Sequence, residues 1–156
     1  MITHENLKNA LNAINNSVNV KSKRYGKLLN WQGGPIWHYG IGLSDDKIFD
    51  TGQNLEVFSK TDAKYVLGME HLEFNRDQTI ERLKHALECF KDWNYSVFGW
   101  NCEHLARLVT TNDPISYGVK CIPFSDMFAN LKDGRHKTAL QVFNEFLSRQ
   151  APHLIR

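Results

Sequence analysis

Two hydrophobic periods divide this chain, and the change from one to the other bounds the folds open to it. Residues 36–43 read Ile-Trp-His-Tyr-Gly-Ile-Gly-Leu, with His38, Gly40 and Gly42 on one side and Tyr39, Ile41 and Leu43 on the other. A period of two is that of a half-buried strand. Past Asn75 the apolar residues recur at three and four instead. Ile80, Leu83, Leu87 and Phe90 form one stripe over residues 77–91, with Asn75 or Asp77 as cap, and that is a helix. Strands grouped ahead of helices predict an α+β fold, an antiparallel sheet with helices packed on it.

The remaining segments fit this frame. Leu7, Leu11, Ile14 and Val18 are spaced four, three and four, which predicts a helix over residues 5–18. Residues 21–30 are polar, and Gly33-Gly34-Pro35 punctuates the chain before the first strand. Ser44-Asp45-Asp46 is a turn, residues 47–51 a second strand, and residues 55–59 and 66–74 further ones, so that three or four antiparallel strands follow in succession. Residues 92–100 form an aromatic loop, and a helix from Cys102 ends at Asn112-Asp113-Pro114. Residues 118–122 are expected as a short strand, residues 125–132 as a short helix closed by Gly134, and residues 137–149 as a last helix through Leu140, Phe143 and Leu147.

At 156 residues the chain is expected to form a single domain, residues 1–156, and its 42% hydrophobic content argues against disorder. A net charge of +2 is too small to point to nucleic acid or an anionic surface. Three cysteines, Cys89, Cys102 and Cys121, are an odd number at irregular spacing, which fits a reducing compartment better than a disulfide framework. With neither a leader pattern at the start nor an apolar run near ~20 residues, the expectation is a cytoplasmic protein without a transmembrane anchor.

The chemistry centres on Gly99-Trp100-Asn101-Cys102-Glu103-His104. Asn101 is a good N-cap, and a thiol in the first turn of a helix feels the positive end of the dipole, which favours thiolate. A nucleophile needs a base, and the base an orienting group. His38 lies on the first strand and Asp50 on the next, so the candidate triad is Cys102, His38 and Asp50. Its geometry makes a demand. His38 and Asp50 share a sheet face only if the register sets 40 against 50, which a two-residue Asp45-Asp46 loop forbids and a three- or five-residue loop or a bulge allows. Each member also has an ordinary alternative. Cys102 suits a core position, His38 a satisfied sheet position, and Asp50 the turn chemistry of Asp-Thr-Gly. Glu103 is explained by the dipole, and His104 by packing or backbone bonding. Gly40 and Gly42 leave room for a substrate or a packed helix. Trp37, Trp93, Trp100 and Tyr95 suit either an acyl groove or an aromatic core. His85 and Cys89, four apart, with Cys102 and His104 are zinc-type ligands, but Cys-x-His is not a usual pair and Cys-x-x-Cys is missing, so no metal and no other cofactor is expected.

The run Trp37-His38-Tyr39-Gly40-Ile41-Gly42-Leu43, an acidic residue twelve past the histidine, and Asn101-Cys102-Glu103-His104-Leu105 together resemble the lecithin:retinol acyltransferase domain family over residues 30–125. The resemblance implies a circularly permuted, NlpC-type papain-like fold, with Cys102 as nucleophile and His38 as base. Members from animals commonly carry a second histidine where this chain has Asp50, and a hydrophobic C-terminal anchor that residues 150–156 lack. The expectation is a thiol-dependent acyltransferase or hydrolase working through a Cys-linked thioester. Its substrate would be an acyl-bearing small molecule, lipid or peptide, met near Trp37, Tyr39, Trp100 and Asn101, with transient membrane contact and no nucleic acid. The alternatives are an NlpC-type cysteine peptidase or amidase, and a binding module that has lost activity.

Overall fold

The computed structural model describes residues 2–33, 36–52, 55–59, 66–69, 73–95, 100–120 and 135–156. The described elements are α1 (His4–Ser17), β1 (Leu28–Gly33), β2 (Ile36–Gly42), β3 (Lys47–Asp50), β4 (Val57–Ser59), β5 (Val66–Met69), α2 (Arg76–Cys89), α3 (Cys102–Thr111), α4 (Tyr117–Lys120) and α5 (Arg135–Gln150), followed by a 3₁₀ turn at Pro152–Leu154. The class is α+β. The described strands form one sheet in the order β4-β3-β2-β1-β5, with every pairing antiparallel.

The sheet differs from the expected succession in two ways. The polar stretch ends early, because β1 starts at Leu28. Leu28 is buried on the helix side, while Leu29 and Trp31 are buried on the other, so both faces are covered and no alternation marks the strand. The last strand does not follow β4 in space. It returns beside β1, with Leu28 opposite Met69 and Trp31 opposite Val66.

The β2–β3 hairpin meets the register demand. Gly40 pairs with Asp50 and Gly42 with Ile48, while Leu43 and Lys47 close a three-residue loop through a 3.0 Å hydrogen bond. The loop is pinned from outside the hairpin. Asp45 Oδ1 accepts from Ser22 Oγ at 2.7 Å and from the Lys23 N–H at 3.2 Å. Gly40 and Gly42 leave no vacant room. A Cβ at Gly40 would strike the Phe49 carbonyl and lie 3.1 Å from the Trp31 ring, and one at Gly42 would strike the Arg24 backbone.

The main hydrophobic cluster joins the Leu28, Ile41 and Phe49 face of the sheet to α1, α2, α3 and α5. Leu7 and Ile14 anchor α1, and Ala139, Phe143 and Leu147 anchor α5, with Leu140 only partly covered. Asn75 caps α2 in a reciprocal box with Gln78, at 2.8 and 3.0 Å. Arg82 of α2 is fully buried inside this cluster. Its guanidinium donates to the carbonyls of Val109 (3.2 Å), Leu108 (2.8 Å) and Leu154 (2.6 Å) and to Asn112 Oδ1 (2.7 Å). It also lies 3.8 Å from the centre of the Phe74 ring. A cation on the last carbonyls of α3 complements the negative end of that helix. It ties the end of α3 to α2 and to the Pro152–Leu154 turn.

Of the remaining expectations, the strand over residues 118–122 is corrected. Tyr117–Lys120 is a helical turn, held by Gly118 N–H, which donates to Glu103 at 3.2 Å instead of to a strand. Cys121 and the helix expected over residues 125–132 lie outside the described residues. No helix among the described residues is long and apolar enough to cross a membrane.

Candidate active site

α3 begins at Cys102, and Asn101 is its N-cap. Asn101 Oδ1 accepts from the N–H groups of Glu103 (3.0 Å) and His104 (3.2 Å). His104 Nδ1 faces back to the Asn101 N–H at 3.3 Å and to Oδ1 at 2.9 Å, so an imidazole completes the box that Glu or Gln usually completes. One nitrogen serves one of these partners at a time. The ring also stacks on Trp100 at 5.8 Å. His104 is thus a capping residue. Asn101, expected as a substrate contact, spends its oxygen on the helix and donates through Nδ2 to Ser116 Oγ at 3.3 Å.

Glu103 does more than meet the dipole. Its side chain is only 3% exposed, and it accepts from Arg107 Nε (2.9 Å), Ser116 Oγ (2.9 Å) and the Gly118 N–H (3.2 Å). Burial pushes the carboxyl's pKa up, but these bonds outweigh it and the net shift is downward. Arg107 in turn lies over Tyr117 at 4.6 Å and Tyr39 at 5.6 Å. This cluster ties the start of α3, the segment at 116–118 and the outer part of Tyr39 into one unit.

Cys102 sits at the point where β3 stops pairing with β2. Asp50 turns its N–H to the Glu56 carbonyl at 2.8 Å, on the β4 side. The next residue, Thr51, places Oγ1 2.8 Å from the carbonyl of Tyr39 and 2.8 Å from that of Cys102. The first turn of α3 therefore fills the place that another β3 residue would take. The Tyr39 N–H, the Tyr95 hydroxyl and, least, the Glu103 N–H that Asn101 already holds act on the sulfur to favour the thiolate. Burial nevertheless dominates, helped by the charge of Asp50, and raises the thiol pKa above its ordinary value. This corrects the expectation of a helix-stabilised thiolate. At 6% exposure the loss of solvation outweighs the helix terminus.

Asp50 is within electrostatic reach of both Cys102 and His38. Its pKa is raised by burial, and the opposing influences are the Gly52 N–H and the His38 charge. Oδ1 accepts the Gly52 N–H at 2.8 Å, so Asp50 also performs the turn role that Asp-Thr-Gly suggests. His38 shares its face with Trp31, whose ring stacks on the imidazole at 5.9 Å. This face is opposite the one that carries Tyr39 and α3. Among the described residues no hydrogen bond joins His38 to Asp50 or Cys102.

Trp37 is 47% exposed. Trp100 is buried in an aromatic cluster with Phe90 (4.8 Å) and Trp93 (5.1 Å). A cavity of about 350 Å³ opens beside this cluster, and its walls include Thr51, Trp93, Tyr95, Trp100 and Leu105. Tyr95 is the group that sequence reasoning placed least well. Tyr95 lies close to Cys102 and Asp50, and burial together with these two raises its pKa strongly. Nothing in its local sequence marks that contact. His85 and Cys89 turn away from Cys102, His85 stacking on Phe146 at 6.1 Å and Cys89 Sγ lying 4.0 Å from the Val142 carbonyl. Among the described residues no three metal-type side chains gather.

Comparison with family models, with curated proteins and with solved structures returned no match.

Proposed function

We propose that this chain is a thiol-dependent acyltransferase or hydrolase with a circularly permuted, papain-like arrangement of Cys102, His38 and Asp50. The observation that carries the proposal is the seat of Cys102. It is the first residue of α3, its sulfur meets the Tyr39 N–H on the strand that bears His38, and Asp50 lies within reach of both. The resemblance of Asn101-Cys102-Glu103-His104 to the lecithin:retinol acyltransferase domain adds to it.

In this mechanism the resting thiol is protonated, because burial disfavours the thiolate. His38 takes the proton as sulfur attacks the carbonyl carbon of an ester or thioester. Asp50, through its second oxygen, holds the other ring nitrogen and favours the imidazolium. The Cys102 N–H, at the start of α3, steadies the developing oxyanion. The S–C bond forms, the leaving alkoxide or thiolate departs with the proton from His38, and a Cys102 thioester remains. Water, an alcohol or an amine attacks that thioester with His38 again as base, which restores the thiol and releases acid, ester or amide.

Intact-mass spectrometry tests this after exposure to activated acyl esters and phospholipids. The wild type should gain one acyl mass, whereas Cys102→Ala and His38→Ala should gain none. An equal adduct on Cys102→Ala would sink the mechanism. The competing possibility of a silent binding module draws on the buried, protonated thiol. A wild type that gains no mass from any ester, and whose Cys102 resists iodoacetamide across pH 6–9, would favour it.

A further inference from the structure

We propose that Thr51 is a positioning residue for the thiol: its hydroxyl, set between the carbonyls of Tyr39 and Cys102, fixes the first turn of α3 against the strand that bears His38. This rests on the acyl-transfer function proposed above and adds the group that brings the nucleophile to the strand of its base.

The hairpin sets the stage. The Leu43 N–H donates inward to the Lys47 carbonyl, while the N–H groups of Gly42 and Asp50 donate outward, to the carbonyls of Lys27 and Glu56. With Gly40 opposite Asp50, antiparallel alternation makes Tyr39 and Thr51 the next two residues due to exchange both backbone bonds. The β2–β3 pairing instead stops at Gly40 and Asp50. The Tyr39 carbonyl accepts from Thr51 Oγ1 at 2.8 Å, and the same Oγ1 lies 2.8 Å from the Cys102 carbonyl. One hydroxyl proton is therefore shared by two carbonyls, one on β2 and one on the first residue of α3. The Tyr39 N–H points to the same side of β2 as the Tyr39 carbonyl, toward the start of α3, and it is a group that favours the thiolate.

Thr51 suits the task. It is 2% exposed, which keeps bulk water from competing for the hydroxyl, and its branched Cβ restricts the side chain at χ1. Its backbone is held on either side, by the Asp50 N–H on the Glu56 carbonyl and by the Gly52 N–H on Asp50 Oδ1, both at 2.8 Å. Successive residues of an extended chain face opposite ways. Asp50 thus serves the face of His38, and Thr51 the face of Tyr39 and α3. The two halves of the proposed triad are joined through that one dipeptide. A methyl cannot replace the hydroxyl, because carbon keeps about 3.3–3.6 Å from a carbonyl oxygen. Thr51→Val therefore removes the donor and also drives the first turn of α3 away from β2.

The experiment compares the whole chain as wild type, Thr51→Val, Thr51→Ala and Thr51→Ser. The other groups that act on the sulfur, Tyr95, Asp50 and Glu103, are the same in all four. Iodoacetamide labelling of Cys102, read by peptide mapping across pH 7–11, gives a pH profile for the thiol. In Thr51→Val and Thr51→Ala the profile should move up by about one pH unit, with labelling at pH 8 about tenfold slower. Thr51→Ser, which keeps the donor, should stay within about twofold of wild type. With p-nitrophenyl acetate, kcat of Thr51→Val should fall by about tenfold or more while KM changes little, and Thr51→Ser should restore most of it. A folded Thr51→Val and Thr51→Ala whose profile stays in place or moves down would overturn the positioning role. So would a Thr51→Ser that behaves as Thr51→Val does. If only Thr51→Ser folds, the hydroxyl serves the fold at large and the role is overturned as well. A wild type that takes no acyl group from any ester removes the transfer function, while the labelling profiles still decide the role of Thr51.

Discussion

At the C-terminal end of α3 the buried guanidinium of Arg82 has three carbonyls, one side-chain oxygen and an aromatic ring around it. At the N-terminal end the buried groups are Cys102 and Asp50, and burial has pushed both toward their neutral forms. Burial lowers the Arg82 pKa to about 9, yet the group still carries its charge at neutral pH. The difference is one of saturation. Arg82 meets acceptors matched to its donors, so its environment holds one state. The polar groups around Cys102 do not offset its lost solvation, and Asp50 sits close by as a charge of the same sign as the thiolate. A charge matched to its surroundings fastens a helix. A pair whose ionisation is disfavoured stores a preference that a substrate and a base can change, and that is where reactivity is to be sought.

The largest effect should come from the saturated end. Arg82→Met orphans the carbonyls of Leu108, Val109 and Leu154 and should cost about 3–5 kcal/mol in denaturant titration. A loss below about 1 kcal/mol would break the contrast. Glu103→Gln, which keeps the shape but not the charge accepted from Arg107, should cost about 1–3 kcal/mol at pH 7. Here the sign of the pH dependence is fixed. The folded-state pKa of Glu103 is lowered, so its contribution is present above the unfolded value and fades as pH falls through the folded one. The gap between Glu103→Gln and wild type should therefore close in acid.

Asp50 has the opposite sign. Its folded-state pKa is raised by burial, so the carboxyl favours the fold in acid and loses that contribution as pH rises through the folded value. Asp50→Asn should thus gain stability relative to wild type at pH 7 and lose the gain near the ordinary carboxyl range. Removing the charge should also speed iodoacetamide labelling of Cys102 a few-fold at pH 8, and under the proposed mechanism, in which Asp50 orients His38, acyl transfer should fall. Unchanged labelling would show that the two groups are not coupled. The smallest effect belongs to Cys89→Ser. Burial pushes the Cys89 thiol up to about 12, so peptide mapping at pH 8 should find label on Cys102 and little on Cys89. The substitution should move stability by under about 1 kcal/mol.

The sequence by itself determined what local periodicity and capping chemistry control. The α+β class, the positions of α1, α2 and α5 and the stop after Thr111 follow from apolar spacing and from residues that bond their own backbone neighbours, while the α2 cap was narrowed to Asn75 or Asp77 and the structure selects Asn75. It also narrowed the β2–β3 hairpin to a register that sets 40 against 50 if His38 and Asp50 are to share a face. Tertiary structure decided between the registers, because the three-residue loop is held by Ser22 and Lys23, about twenty residues away in the chain. It alone decided that β1 exists, since a strand covered on both faces shows no alternation, and that β5 returns to β1, since strand pairing is non-local. It also decided the protonation of Cys102 and the partners of Arg82 and Tyr95. Solvation and hydrogen bonding at a buried atom depend on which distant segments surround it, and no spacing along the chain records that.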